Sequence, residues 1–142
     1  MSNPAATARF RVQHGEIEML LQAVERQLRV PGWATAPQAL RESFTQLSAK
    51  LRIHLALEDD ALYPRLATHA DGNLRALAQQ YQQEMSGIRQ TYEAFLAEWL
   101  HSNRFSQEAS AFTAAATDLF KTLRARFHRE DTRLYPMADA AA

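Results

Sequence analysis

The chain carries five histidines and no cysteine among its 142 residues. Any metal site must therefore be built from imidazole nitrogen and carboxylate oxygen. The lack of cysteine also excludes disulfides, thiolate metal sites, iron–sulfur clusters and a cysteine nucleophile. Spacing narrows the chemistry further. His54 and Glu58 stand at i and i+4, so a helix places both on one face. Arg126 and Glu130 repeat that spacing near the end of the chain. His14 and Glu84 complete a set of polar residues that interrupt apolar stripes. Any one of them alone reads as a hydrogen-bonded core residue. Several ionisable groups buried together are costly unless paired or holding a cation. Three carboxylates gathered without a cation repel, and some must take a proton. Metal ligation by His14, His54, Glu58, Glu84 and Glu130 is the expected chemistry. Arg126 cannot ligate a metal, but its fork matches a carboxylate. Turned inward, it would pair with Glu130 or Glu58 as a fixed positive charge.

These residues need elements to hold them. Breakers cluster at 31–37, 64–73 and 101–106, where Pro, Gly and polar residues mark connections. Pro136 is expected to close the last element, with residues 138–142 as a frayed, flexible tail. Between the breaks, apolar residues recur at spacings of three and four. The first series is Phe10, Ile17, Leu21, Val24 and Leu28; the second is Leu40, Phe44, Leu47, Leu51 and Leu62. The third is Leu77, Tyr81, Ile88, Phe95 and Trp99; the fourth is Phe112, Ala116, Leu119, Leu123, Phe127 and Leu134. This is the helical period, and no segment alternates as a strand would. Four amphipathic helices of about 20 to 28 residues with short links predict an all-α, antiparallel up-down-up-down four-helix bundle. One domain is expected over residues 1–142, with its core over 8–136.

Topology supplies a second test of the polar set. His14 and Glu84 lie near the starts of the first and third helices. His54, Glu58 and Glu130 lie near the ends of the second and fourth. In an antiparallel bundle those ends coincide, so all five gather in one or two layers. An internal repeat strengthens the pattern. Glu58-Asp59-Asp60-Ala61-Leu62-Tyr63-Pro64 recurs as Glu130-Asp131-Thr132-Arg133-Leu134-Tyr135-Pro136. The repeat aligns Glu58 with Glu130 and His54 with Arg126. Tyr63 and Tyr135 are expected to lock the helix ends. His128 falls off the fourth stripe and is expected at the surface, although a rotated helix would make it a replacement ligand. His69 and His101 fall in or beside connections.

His14, the segment His54-Leu55-Ala56-Leu57-Glu58 with Asp59 and Leu62-Tyr63-Pro64, and the second Glu130-Asp131 with Leu134-Tyr135-Pro136 resemble the hemerythrin-like (HHE cation-binding) family. The resemblance runs over residues 10–136, nearly the whole chain. It implies a four-helix bundle with a non-haem di-iron centre. In that family helix 1 gives a His, helices 2 and 4 each give His-x-x-x-Glu, and helix 3 gives one or two His. The two Glu bridge the irons. The functions implied are carrying oxygen, sensing oxygen, nitric oxide or iron, and stress responses. This sequence departs from the pattern twice. Helix 3 offers Glu84 and no His in its first half, and helix 4 has Arg126 at the place of the second ligand His.

Two readings follow. In the first, the protein binds one or two iron ions and binds or senses oxygen or a related small ligand. In the second, the site is mononuclear or metal-free, Arg126 replaces a ligand, and the bundle acts as a regulatory or interaction module. Peroxide handling at a bound iron is a third reading, with no dedicated acid or base beside it. Balanced charge, 16 basic against 16 acidic residues, gives no case for nucleic acid or an acidic membrane. No segment has the roughly 20 apolar residues needed to span a bilayer. The first ten residues, MSNPAATARF, do not read as a secretory signal, so a cytoplasmic protein is expected. Glycine-rich phosphate loops and hydrolase motifs are absent. An exposed stripe on such a bundle offers a surface for a homodimer.

Overall fold

A computed structural model describes residues 5–141. Helices α1 (Ala5–Leu28), α2 (Gln38–Leu57), α3 (Tyr63–Ala67), α4 (Gly72–Phe95), α5 (Arg104–Gln107), α6 (Ala109–Arg129) and α7 (Tyr135–Ala141) make up the fold. Widened, π-type turns at Glu58–Leu62 and Glu130–Leu134 join α2 to α3 and α6 to α7; a third, Leu96–Leu100, ends α4. No strand occurs among the described residues. The first connection turns at Gly32, whose φ of 78° lies in the left-handed region that glycine enters without steric cost. Asp71 caps α4, accepting hydrogen bonds from the Asn73 and Leu74 amides. Such a cap is worth about 1 kcal/mol.

Four long helices form a closed ring of antiparallel neighbours, as the pairs across each seam show. Gln13, Glu16 and Gln27 of α1 meet His54, Lys50 and Ser43 of α2. Ser48 and Arg52 of α2 meet Tyr92 and Glu93 of α4, and Asp59 meets Arg89. Phe95 and Glu84 of α4 meet Phe112 and Arg126 of α6. Arg124 of α6 meets Glu25 and Glu18 of α1, and Asp131 meets His14. The bundle is therefore up-down-up-down, as the periodicity predicts. Among the described residues, no helix is long and apolar enough to cross a membrane.

The apolar stripes make two clusters. The larger contains Phe44, Phe95, Phe112, Phe120 and Trp99, and reaches Ile17, Leu51, Leu55 and Phe127. The smaller contains Phe10, Leu62, Tyr63, Tyr81, Leu134 and Tyr135. On α1, on α2 and in the widened turns after α2 and α6 the residues between these clusters are His14, His54, Glu58 and Glu130, all buried. The core is thus split by a polar layer.

Two sequence expectations about the helix ends are corrected. Pro64 and Pro136 do not stop their helices. A proline ring clashes with the carbonyl four residues back and donates no N–H. The widened turn inserts one residue before each proline: the Tyr63 amide bonds to the Glu58 carbonyl, and the Tyr135 amide to that of Glu130. The helix then resumes. The tail is not frayed either. Residues up to Ala141 are helical, and Ala138 and Asp139 are buried. The Thr7 hydroxyl donates to Asp139 at 2.8 Å, and Arg11 lies 3.5 Å from the same carboxylate. This anchor ties the end of the chain to the start of α1.

Candidate metal centre

His14 occupies the gap between Phe10 and Ile17 on the inner face of α1. His54 projects from the last turn of α2, and Glu58 and Glu130 open the widened turns after α2 and α6. One ligand atom from each of the four lies within 4.8 Å of every other. Nε2 of His14 is 3.1 Å from Nε2 of His54 and 3.2 Å from a Glu130 oxygen. Nε2 of His54 is 2.8 Å from Oε1 of Glu58. His54, Glu58 and Glu130 are at most 1% exposed, and His14 is 5% exposed.

The outer atoms of each group are held by named partners. Nδ1 of His14 donates to the Asp131 carboxylate at 2.8 Å, and Nδ1 of His54 donates to the Gln13 side-chain oxygen at 2.7 Å. Those bonds place the hydrogens on Nδ1 and aim both Nε2 atoms inward. Tyr63 donates to Oε2 of Glu130 at 2.7 Å, and Tyr135 donates to Oε2 of Glu58 at 2.8 Å. Each tyrosine thus holds the glutamate of the opposite repeat. Oε1 of Glu58 and Oε1 of Glu130 are buried and have no hydrogen-bond partner. Four lone-pair atoms therefore converge on one point, two nitrogens and two oxygens, and a divalent cation is what satisfies them together.

The electrostatics of the protein alone carry the same message. Burial and the charge of Glu58 push the Glu130 carboxyl up to about 7, and burial raises Glu58 as well. Burial opposes protonation of His14, but its bond to Asp131 and the Glu130 carboxylate beside it raise it to about 9. Burial and the neighbouring His14 lower His54 to about 3. Protons are retained where lone pairs would otherwise face each other. Burial and the facing carboxylates raise both Tyr63 and Tyr135, which keeps them hydroxyl donors.

Other sequence-predicted residues lie elsewhere. Glu84 does not join the group: it is half-buried and pairs with Arg126 and Arg129. Arg126 does not pair with Glu130 or Glu58. Its guanidinium bonds to Glu84 and lies 5.7 Å from the centre of the Tyr81 ring. His128 is exposed, so it replaces no ligand. Asp131 and Gln13 were not among the candidates. Each stands immediately beside a candidate; Asp131 also falls in the repeated Glu-Asp pair, whereas Gln13 had no other sign. The tyrosine exchange was foreshadowed by the repeated Glu-x-x-x-x-Tyr-Pro spacing alone.

The family model of the hemerythrin HHE cation-binding domain matches residues 5–138. The chain belongs to this family. The match spans every element that supplies a residue to the centre. No curated protein and no solved structure matches the chain. Within the hemerythrin HHE family fold, the buried His and Glu group is the place where a cation-binding domain of this sequence could hold its metal.

Proposed function

We propose that the protein binds a single iron ion through His14, His54, Glu58 and Glu130, and binds or senses oxygen or a related small ligand there. The observation that carries this reading is the convergence of four buried ligand atoms whose outer partners are all satisfied. Two imidazoles and a carboxylate are the facial set used by non-haem iron(II). Iron(II) held by these residues would supply a redox-active Lewis acid. The protein's own groups do the rest. Asp131 and Gln13 orient the imidazoles, and Tyr63 and Tyr135 orient the carboxylates. Apolar clusters on both sides limit water at the centre.

One ion is favoured over two by the pair of Arg126 and Glu84. The family resemblance asks for a histidine at position 126 and for histidine on the third helix. Here those places carry a guanidinium and a carboxylate that neutralise each other. The test is anaerobic reconstitution with Fe2+ followed by metal analysis and absorption spectroscopy. One iron per chain is expected. Absorption from an oxo-bridged pair would establish two irons. Iron well below one per chain would leave the metal-free interaction module as the better reading.

A further inference from the structure

An open groove of about 510 Å³ runs between α1 and α6, and His14, Gly15, Phe127, His128 and Asp131 line it. Of the four-residue group His14 lines this groove, and it is the most exposed of them. The opposite approach, between α2 and α4, is nearly closed. The cavity beside Glu58 there measures only about 10 Å³, and an Arg89–Asp59 ion pair at 2.7 Å stands among its lining residues. That is room for about one water.

Gly15 is the second observation. It is exposed in the middle of α1, where glycine weakens a helix relative to alanine. Apart from its two chain neighbours and the backbone of its own helix, no atom lies within 4 Å of where its Cβ would stand. Neither crowding nor a left-handed φ requires glycine there. What glycine does achieve is an unfilled wall beside His14. Asp131 is the third. Its side chain is 36% exposed, and it holds Nδ1 of His14 from the solvent side. The Arg124 guanidinium already neutralises Glu18 across the groove, at 2.7 Å. Arg11, the other guanidinium of the groove, is turned to Asp139 and to the Asp131 backbone carbonyl, which leaves the Asp131 carboxylate to meet an arriving cation with an imidazole directly behind it.

We propose that this groove is the loading port of the metal centre: a hydrated divalent cation is first held at Asp131 and passes inward by way of His14, and Gly15 keeps the port open. The proposal rests on the metal-binding reading above. It assigns Gly15 to the rate of loading, and gives Asp131, which also orients His14, a part in both rate and affinity.

The test compares Co2+ uptake, followed by stopped-flow visible absorption, in the wild-type chain and in the variants Gly15→Phe, Gly87→Phe and Asp131→Asn. Gly87 is the control. It is an exposed glycine of α4 whose Cβ would likewise meet nothing within 4 Å beyond its chain neighbours and its own helix backbone, but it does not line the groove. Expected are uptake several-fold slower in Gly15→Phe and Asp131→Asn, full final occupancy in Gly15→Phe, and a wild-type rate in Gly87→Phe. Extraction of bound Co2+ by a chelator should slow in Gly15→Phe as well. Wild-type kinetics in Gly15→Phe would overturn the port and leave the metal site standing. Equal slowing in Gly87→Phe would overturn it too, by tracing the effect to the helix rather than the groove. A wild-type chain that takes up no Co2+ would overturn both readings.

Discussion

Arg52 on α2 and Arg124 on α6 stand at matching places of the internal repeat, and each reaches the next helix in the ring. Arg52 grips Glu93 of α4 with two bonds of 2.7 Å. Arg124 grips Glu18 and Glu25 of α1. Six residues further on, Glu58 and Glu130 each open a widened turn. Five residues beyond those, Tyr63 and Tyr135 exchange hydrogen bonds with the glutamate of the other half. The two halves differ where it matters chemically. His54 is fully buried at the centre, whereas Arg126, at the same place, leans away to Glu84 and Tyr81. Backbone and register put both residues at the same level of the bundle. Side-chain charge then decided the direction. An imidazole can present a lone pair to a cation, while a guanidinium presents only N–H groups and seeks a carboxylate of its own.

Breaking the half that is complete should have the largest effect. His54→Ala removes one of two imidazole ligands. Fe2+ affinity should fall by on the order of 100-fold or more, because even the outer partners of ligands are worth about 10–100-fold. Anaerobic titration against the wild-type chain measures it. Undiminished affinity would mean that the α2 half does not hold the ion. The reverse exchange completes the other half. Arg126→His gives α6 the His-x-x-x-Glu of α2 and frees Glu84 from its pair. Iron content after reconstitution should rise above one per chain. Unchanged content would break the comparison, since position 126 would not be what limits the site.

Much of this was legible from residue order, for a reason particular to bundles. A helix that buries one face repeats its apolar residues every three or four positions, so a polar residue in that series stands out. His14, His54, Glu58 and Glu130 were found in that way. Glu84 satisfied the same spacing, three after Tyr81 and four before Ile88, yet it lies at the edge of its stripe. Periodicity cannot separate the centre of a stripe from its margin, and Arg126 was the partner that drew Glu84 outward. The Tyr63 and Tyr135 bonds cross between helices 67 and 77 residues apart, which no local pattern encodes. The prolines misled because each stands just after a widened turn that absorbs its missing N–H, and stopping a helix is only their commoner effect.

The tyrosine exchange allows a sharper test of the halves' equivalence. Tyr63→Phe and Tyr135→Phe each leave a buried carboxylate oxygen without its donor. Each should cost about 1–3 kcal/mol in urea unfolding of the metal-free chain. Tyr135→Phe should cost the more, because its hydroxyl also lies 3.2 Å from Nε2 of His14. A variant with no loss of stability would show that its half does not depend on the exchange.

Smallest of all should be the effect of the two outer arginines. Here the comparison predicts a ratio rather than an absolute loss. Arg52 has one carboxylate partner, and Arg124 has two. Exposed ion pairs are worth about 0.2–1 kcal/mol each, because water and salt screen them and two long side chains must be ordered. Arg124→Ala should therefore cost about twice what Arg52→Ala does, both within that range per pair. Acid should erase the difference. Hydrogen bonds from the arginines hold Glu18, Glu25 and Glu93 below the ordinary 4.5 in the folded chain. The unfolded chain then binds more protons through that interval, so the stability these pairs add is present above 4.5 and lost as pH falls through the lower folded values. Unfolding curves at pH 7 and at steps below 4.5 should show the two variants separated in the first and drawing towards the wild-type chain as the pH falls. A separation that survives at the lower pH would mean that Arg124 contributes by packing its stem between α1 and α6 rather than by charge.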